Sequence, residues 1–201
     1  MDYLILVDKF NPVPQDFYKS MELINIRGKL VEKQTGQQLE KMLLAAEKEA
    51  IDIKIISAYR TEEYQKMLWE KSVSEEVRKG QSCCDAVETV SKTLALPGSS
   101  EHNTGLAVDF GTTQSDDVED DFFRTPQAKW LCRNAADYGF ILRYPRMKEH
   151  ITGISYEPWH YRYVGTQAAK IIKSGGICLE EFLHFYADKY LINTSSNCKN
   201  N

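Results

Sequence analysis

The stretch Ser100-Glu-His-Asn-Thr-Gly-Leu-Ala-Val-Asp-Phe110 changes character at its glycine. Before Gly105 it is polar and reads as a loop. From Leu106 to Phe110 it is a short apolar run, which predicts a strand. Side chains alternate along a strand, so Ala107 and Asp109 share one face and Leu106, Val108 and Phe110 share the other. A carboxylate placed in such a run is costly to bury unless something pairs it, and a metal ion would. His102 stands at the end of the loop, and Gly105 permits close backbone approach between it and the strand. Taken alone, these two residues also fit a strand-edge aspartate bonded to backbone and an ordinary loop histidine.

A second segment, Glu157-Pro-Trp-His160, changes that balance. It can present an imidazole and a spare carboxylate from one piece of chain bent at Pro158. Two imidazoles and one carboxylate are the three protein ligands of a catalytic zinc site with an open fourth position. A further carboxylate beside them is suited to general-base work. His102, Asp109 and His160 are therefore the candidate ligands of one zinc ion per chain. Glu157 is the candidate base, and metal-assisted peptide hydrolysis is the expected chemistry. Glu101 is expected on the opposite side from His102, in solvent or orienting a ligand. His150 and His184 are read as structural or solvated. No G-x-S-x-G elbow accompanies Ser99 or Ser100, which argues against a serine hydrolase.

Working outward, Tyr3 to Val7 predicts an opening strand. Thr35-x-x-Gln38 predicts a capping box, and Leu39, Met42, Leu43, Ala46 and Ala50 predict a helix over 36–50. Ile53 to Ser57 predicts a strand. Thr61 caps a helix to about Arg78 that carries Tyr64, Met67, Leu68 and Trp69. Another helix is expected within 81–94, then a loop over 95–104. Gln114 to Asp121 reads as a solvated acidic connection. Thr125-Pro126 opens a helix to Tyr138, ended by Gly139. Ile154 to Tyr156 and Trp159 to Val164 predict two strand pieces. Helices are expected at 166–174 and 179–190. The fold class is α+β: one domain, residues 1–192, with a small, mostly antiparallel sheet flanked by helices and the metal site at strand edges. Residues 193–201 read as a frayed tail.

The chain has 201 residues, 42% of them hydrophobic and 27% charged, and a net charge of −4. That length supports one sizeable core. The acidic balance argues against a nucleic-acid partner, which leaves a basic footprint. No run of about 18 apolar residues is present, so no transmembrane segment is expected. The five cysteines, Cys83, Cys84, Cys132, Cys178 and Cys198, form no C-x-x-C pair and read as free thiols of a reducing compartment. With an N-terminus that lacks a basic, apolar leader, they point to the cytoplasm; a longer, membrane-anchored parent acting outside the cell is the alternative.

The paired motifs Ser100-x-His102-x-x-Gly105-x-Ala107-x-Asp109 and Glu157-x-Trp159-His160 resemble those of the D-alanyl-D-alanine peptidases related to VanX, VanY and VanXY. Tyr138 to Pro145 and Ile151 to Gly165 are similar to VanY and VanXY members in particular. The resemblance covers about residues 53–165. It implies a zinc held by His102, Asp109 and His160, with Glu157 as base. It implies a small peptide substrate ending in D-Ala-D-Ala or a related pair. It also implies substrate contacts from Arg60 and Gln65 after an early strand, from Ser100, and from Trp159 as a pocket wall. The guanidinium of Arg60 suits a terminal carboxylate or a developing oxyanion. Its alternative is a surface ion pair with Glu62 or Glu63. The function implied is D,D-carboxypeptidase, with D,D-dipeptidase as an added possibility, in cell-wall metabolism or vancomycin resistance. An L,D- or endopeptidase, or a non-catalytic zinc or peptidoglycan-binding module, are the competing readings.

Overall fold

A computed structural model describes residues 1–115, 117–118 and 121–186. In chain order these form α1 (Gln15–Ser20), β1 (Leu23–Ile26), β2 (Lys29–Glu32), α2 (Lys33–Lys48), β3 (Lys54–Ser57), α3 (Glu62–Arg78) and α4 (Cys83–Val90). Then follow β4 (Ala107–Gly111), α5 (Pro126–Asn134), β5 (Phe140–Leu142), α6 (Glu149–Thr152), β6 (His160–Tyr163) and α7 (Thr166–Gly175). A further helix occupies 179–186. The architecture is α+β, as expected. A four-stranded antiparallel sheet has the order β3-β4-β6-β5, and β1-β2 is a separate hairpin.

The alternation along β4 is what positions the site. Val108 and Phe110 face the main core with Ile55, Tyr161 and Tyr163 of the neighbouring strands. Leu39, Met42 and Leu43 of α2 and Trp130 and Leu131 of α5 close that core. Each such side chain contributes about 1.5–3 kcal/mol on burial. The other face of β4 is buried as well, and it carries Asp109. Across the sheet Asp109 pairs with Ser57 on one side and His160 on the other.

Several boundaries follow their signals. The Thr61 side chain accepts from the Tyr64 N–H to cap α3, and Thr125 accepts from Ala128 to cap α5 with Pro126 in its first turn. Gly139 ends the stretch in the left-handed region at φ 87°, although Ala135–Tyr138 tighten to a 3-10 turn. The predicted loop at 95–104 ends in a 3-10 turn at Glu101–Thr104.

Others do not. Tyr3 to Val7 forms no strand, because the Tyr3 and Ile5 carbonyls are taken by the Arg162 guanidinium, at 3.2 and 2.8 Å, instead of a ladder. Ile154 to Tyr156 forms none either; Ser155 N–H donates to Lys92 and Glu157 N–H to Tyr144, two unrelated partners. The helix predicted over 36–50 starts at Lys33, capped by the Glu32 carboxylate on the N–H groups of Gln34 and Thr35 rather than by Thr35 itself. It ends at Lys48, and Ala50 is exposed at φ 57°. In α3 the apolar pattern is only partly covered: Leu68 and Trp69 are half-buried, Tyr64 and Met67 are exposed, and Gln65 is the buried residue. The hairpin β1-β2 escapes sequence reading because its turn is Arg27-Gly28, both at positive φ, where asparagine usually signals. The helix predicted over 179–190 is helical to residue 186; its remainder and the tail lie outside the described residues.

Candidate metal centre

β4 and β6 deliver Asp109 and His160 side by side, and the 3-10 turn before β4 brings His102 to the same point. One ligand atom from each of the three lies within 4.8 Å of the others, and all three residues are buried. Among the described residues no other His, Cys, Asp or Glu group of three converges this way.

The hydrogen bonds assign the free lone pairs. His102 Nδ1 is 2.7 Å from the Ala58 carbonyl, which can only accept, so Nδ1 carries the proton. Nε2 then presents a lone pair to Asp109 Oδ2 at 3.1 Å. His160 Nδ1 lies 2.9 Å from Asp109 Oδ1, while its Nε2 lies 3.3 Å from Glu101 Oε2. Imidazole lone pairs facing a carboxylate at these distances repel unless a cation lies between them. Burial, then the Arg60 charge, push His102 down to about 4, so it is neutral at pH 7. Burial alone would raise Asp109, but His102 and His160 hold it well below the usual carboxylate range. Burial also works against a charged His160, yet Asp109 and Glu101 raise it to about 9. A proton there is the smallest cation the pair can hold. The donor set of two imidazole nitrogens and one carboxylate fits zinc.

Glu157 is 6% exposed, and its Oε2 lies 3.9 Å from His160 Nδ1. Its placement comes from the bend at Pro158: Glu157 N–H donates to the Tyr144 carbonyl, and His160 N–H returns to the Glu157 carbonyl. Burial is the main cause that pushes its carboxyl up to about 8, with His160 opposing and Asp109 adding to the rise.

Arg60 reaches the same point from the end of β3. Its Nε donates to Ser57 Oγ at 2.9 Å and its Nη2 to Asp109 Oδ2 at 2.8 Å. Its backbone is tied down too, N–H to the His102 carbonyl and carbonyl to the Asn103 side chain. The surface pair with Glu62 or Glu63 is not formed. Gln65 is wholly buried; its amide donates to Ala95, and its carbonyl lies 3.4 Å from Arg60 Nη1. The Ser100 hydroxyl accepts from His102 N–H, capping the 3-10 turn. Trp159 packs partly on the core.

All of these residues line one cleft of about 650 Å³, a size usual for ligand sites. Leu94 and Ala95 border it from one side and Asp117 and Val118 from another, so the connections at 70–97 and 111–125 do contribute walls. Sequence reading missed Tyr144, whose ring lies 5.0 Å from that of His160, and the Ser57 hydroxyl behind Arg60. Neither carries a local pattern. Ser57 was legible only through its register opposite Asp109. Glu101 is not solvated: it is 2% exposed and bonded to Arg143, Arg162 and His160. His150 and His184 take no part in the cluster.

Residues 28–166 match the family described as VanY: D-alanyl-D-alanine carboxypeptidase. Over 181 residues the chain is 37% identical to a D-alanyl-D-alanine carboxypeptidase of Enterococcus faecalis, covering 90% of its own length and 65% of the relative's. It thus spans slightly under two thirds of that protein. Among solved structures it is similar to VanYB in complex with D-alanine-D-alanine, with a TM-score of 0.82 and 37% identity over 92% of this chain and 98% of that one. A variant of the vancomycin resistance D,D-pentapeptidase VanY from a VanB-type cassette, in complex with Zn(II), gives 0.81 and 36% over 91% and 99%. The LD-carboxypeptidase LdcB gives 0.69 and 37% over 82% and 73%.

Proposed function

The chain belongs to the VanY family of D-alanyl-D-alanine carboxypeptidases, and from that premise we propose that it is a zinc D,D-peptidase. Its substrate is the C-terminal D-Ala-D-Ala bond of peptidoglycan precursor peptides. The observation that carries this reading is the meeting of His102, Asp109 and His160 with Glu157 in one buried wall of an open cleft.

Zinc held by His102, Asp109 and His160 supplies Lewis acidity and positive charge at the scissile carbonyl. Glu157 accepts a proton from the attacking water and returns it to the nitrogen of the departing D-amino acid. The peptide C–N bond breaks as the new C–O bond forms, and no acyl group is left on the protein. Arg60 holds either the substrate's terminal carboxylate or the developing oxyanion, its fork aligned beforehand by Ser57 and Gln65. Ser100 and Trp159 contribute substrate contacts, and Gln65, wholly buried, acts on the substrate through Arg60. The carboxypeptidase family to which the chain belongs supports action on peptides longer than a dipeptide. Exposed, unbridged Cys83, Cys84 and Cys132 favour a reducing compartment, the cytoplasm. Removal of D-Ala-D-Ala ends there would contribute to vancomycin resistance.

The test is D-alanine release from D-Ala-D-Ala and from a muramyl pentapeptide, each with and without a zinc chelator. Chelator-sensitive release from the pentapeptide is expected. Similarity to LdcB supports a second reading, an L,D-carboxypeptidase. Release from a tetrapeptide ending in an L-residue and D-Ala, with the pentapeptide untouched, would replace the first reading by the second.

A further inference from the structure

Resting on the zinc reading, we infer that Glu101 is a positioning residue that sets which nitrogen of His160 faces the metal, and that Arg143, Arg162 and Glu180 lock it in place. Glu101 Oε1 accepts from Arg143 Nε and from Arg162 Nη1, both at 2.7 Å. That leaves Oε2 aimed at His160 Nε2. Arg143 spends its other two nitrogens on Glu180, at 3.0 and 2.8 Å. Arg162 also donates from Nε to the carbonyl of Tyr163 and from Nη2 to those of Tyr3 and Ile5. Two guanidinia and two carboxylates balance, and every side chain but that of Glu180 is at most 1% exposed.

The chemistry of the acceptor decides the ring. Glu101 accepts a hydrogen bond from each of two guanidinia at Oε1, which makes it a carboxylate, and a carboxylate only accepts. The proton of a neutral His160 therefore sits on Nε2, and the Nδ1 lone pair turns to Asp109 and the metal position. A flip about the ring axis would aim a lone pair at Glu101. Tyr144 blocks tumbling of the ring from its face, at 33° and 5.0 Å, and Arg143 in turn lies 4.8 Å over Tyr144. A carboxylate behind a ligating imidazole also raises its basicity toward the metal. A cluster of four charges, three of them buried, is weak evidence for stability, since well-packed apolar side chains serve that purpose as well or better. Orientation of a ligand is something apolar side chains cannot supply. The cluster also ties the ligand geometry to two distant pieces of chain: the N-terminal segment through Arg162, and the helix at 179–186 through Glu180.

Two measurements test this, and neither uses a substrate. In Glu101→Gln, checked for its fold by circular dichroism, zinc affinity read by competition with a chromogenic chelator is expected to fall about 10- to 100-fold. A folded variant within twofold of the parent overturns the inference. If the variant does not fold, the unmodified chain decides. With 15N-labelled histidine and zinc bound, His160 is expected to show a protonated Nε2 and a metal-shifted Nδ1, and the reverse pattern overturns the inference. A chain that binds zinc this way but releases no D-alanine would sink the D,D-peptidase reading and leave this one standing.

Discussion

Glu157 and His160 are three residues apart, yet burial treats them in opposite ways. The carboxyl is driven up to about 8 by loss of water, while the imidazole is driven up to about 9 by its two carboxylate neighbours. A carboxyl at about 8 is protonated at neutral pH and cannot act as a base. A metal cation beside it favours the ionised form, so loading the site brings the base into its working state. The acid limb of kcat/KM in the zinc enzyme is therefore expected below the value that Glu157 shows by NMR titration of the metal-free chain. Equal values would remove Glu157 from the acid limb. Glu157→Gln is expected to retain zinc and to lose about 10²–10⁴ in kcat, read by elemental analysis and D-alanine release. Persisting turnover would reassign the base. Arg60→Ala is expected to cost about 10²–10³. A loss confined to kcat places its guanidinium at the oxyanion, and a rise in KM places it at the terminal carboxylate. With hydrolysis carried by Glu157 and no acyl group on a serine, β-lactams are expected not to inhibit; a stoichiometric penicillin adduct seen by mass spectrometry would contradict this.

At the scale of elements, the site depends on how the hairpin β1-β2 docks under the turn that carries His102. Gly105 ends that turn at φ 69°, and its carbonyl accepts from Glu32 N–H. A Cβ there would stand 2.9 Å from the Glu32 nitrogen. Gly105→Ala then carries both the left-handed cost of about 1–2 kcal/mol and a backbone clash, so a lower melting temperature and weaker zinc binding are expected together. Glu32 also caps α2, so any shift of the hairpin is felt in the core helix. The helix at 179–186 is fixed differently. Glu181 accepts from the Cys178 N–H and pairs with Lys148, both at 2.8 Å. The Lys148 bond and the Cys178 N–H hold its carboxyl down to about 2. A depressed carboxyl stabilises above its unfolded value near 4.5, and that contribution is lost as pH falls toward 2. Glu181→Gln is expected to lower stability at pH 7 and to flatten its fall between those limits, as followed by thermal melts across pH.

For the whole molecule, a zinc ion at 100 times its dissociation constant adds about 2.7 kcal/mol to stability. In a domain of this size that corresponds to about 5–10 °C, so chelation is expected to lower the melting temperature by that amount. No helix among the described residues is long and apolar enough to cross a membrane. Sequence alone sufficed for what is local. The cap at Thr61, the proline-started α5 and the alternation in β4 each depend on neighbours within a few residues. So did the pairing of two short motifs whose residue types suit a metal. The tertiary structure decided what depends on chain segments far apart. It spent the backbone of Tyr3 to Val7 on a guanidinium 157 residues away, which no local apolar pattern can signal. It left Tyr64 and Met67 of α3 exposed and buried Gln65, whose amide and carbonyl are taken by Ala95 and Arg60. It gathered Arg143, Arg162 and Glu180 around Glu101, charges that read as surface residues until their partners are known. Burial makes such partners obligatory, and only folding shows which ones are within reach.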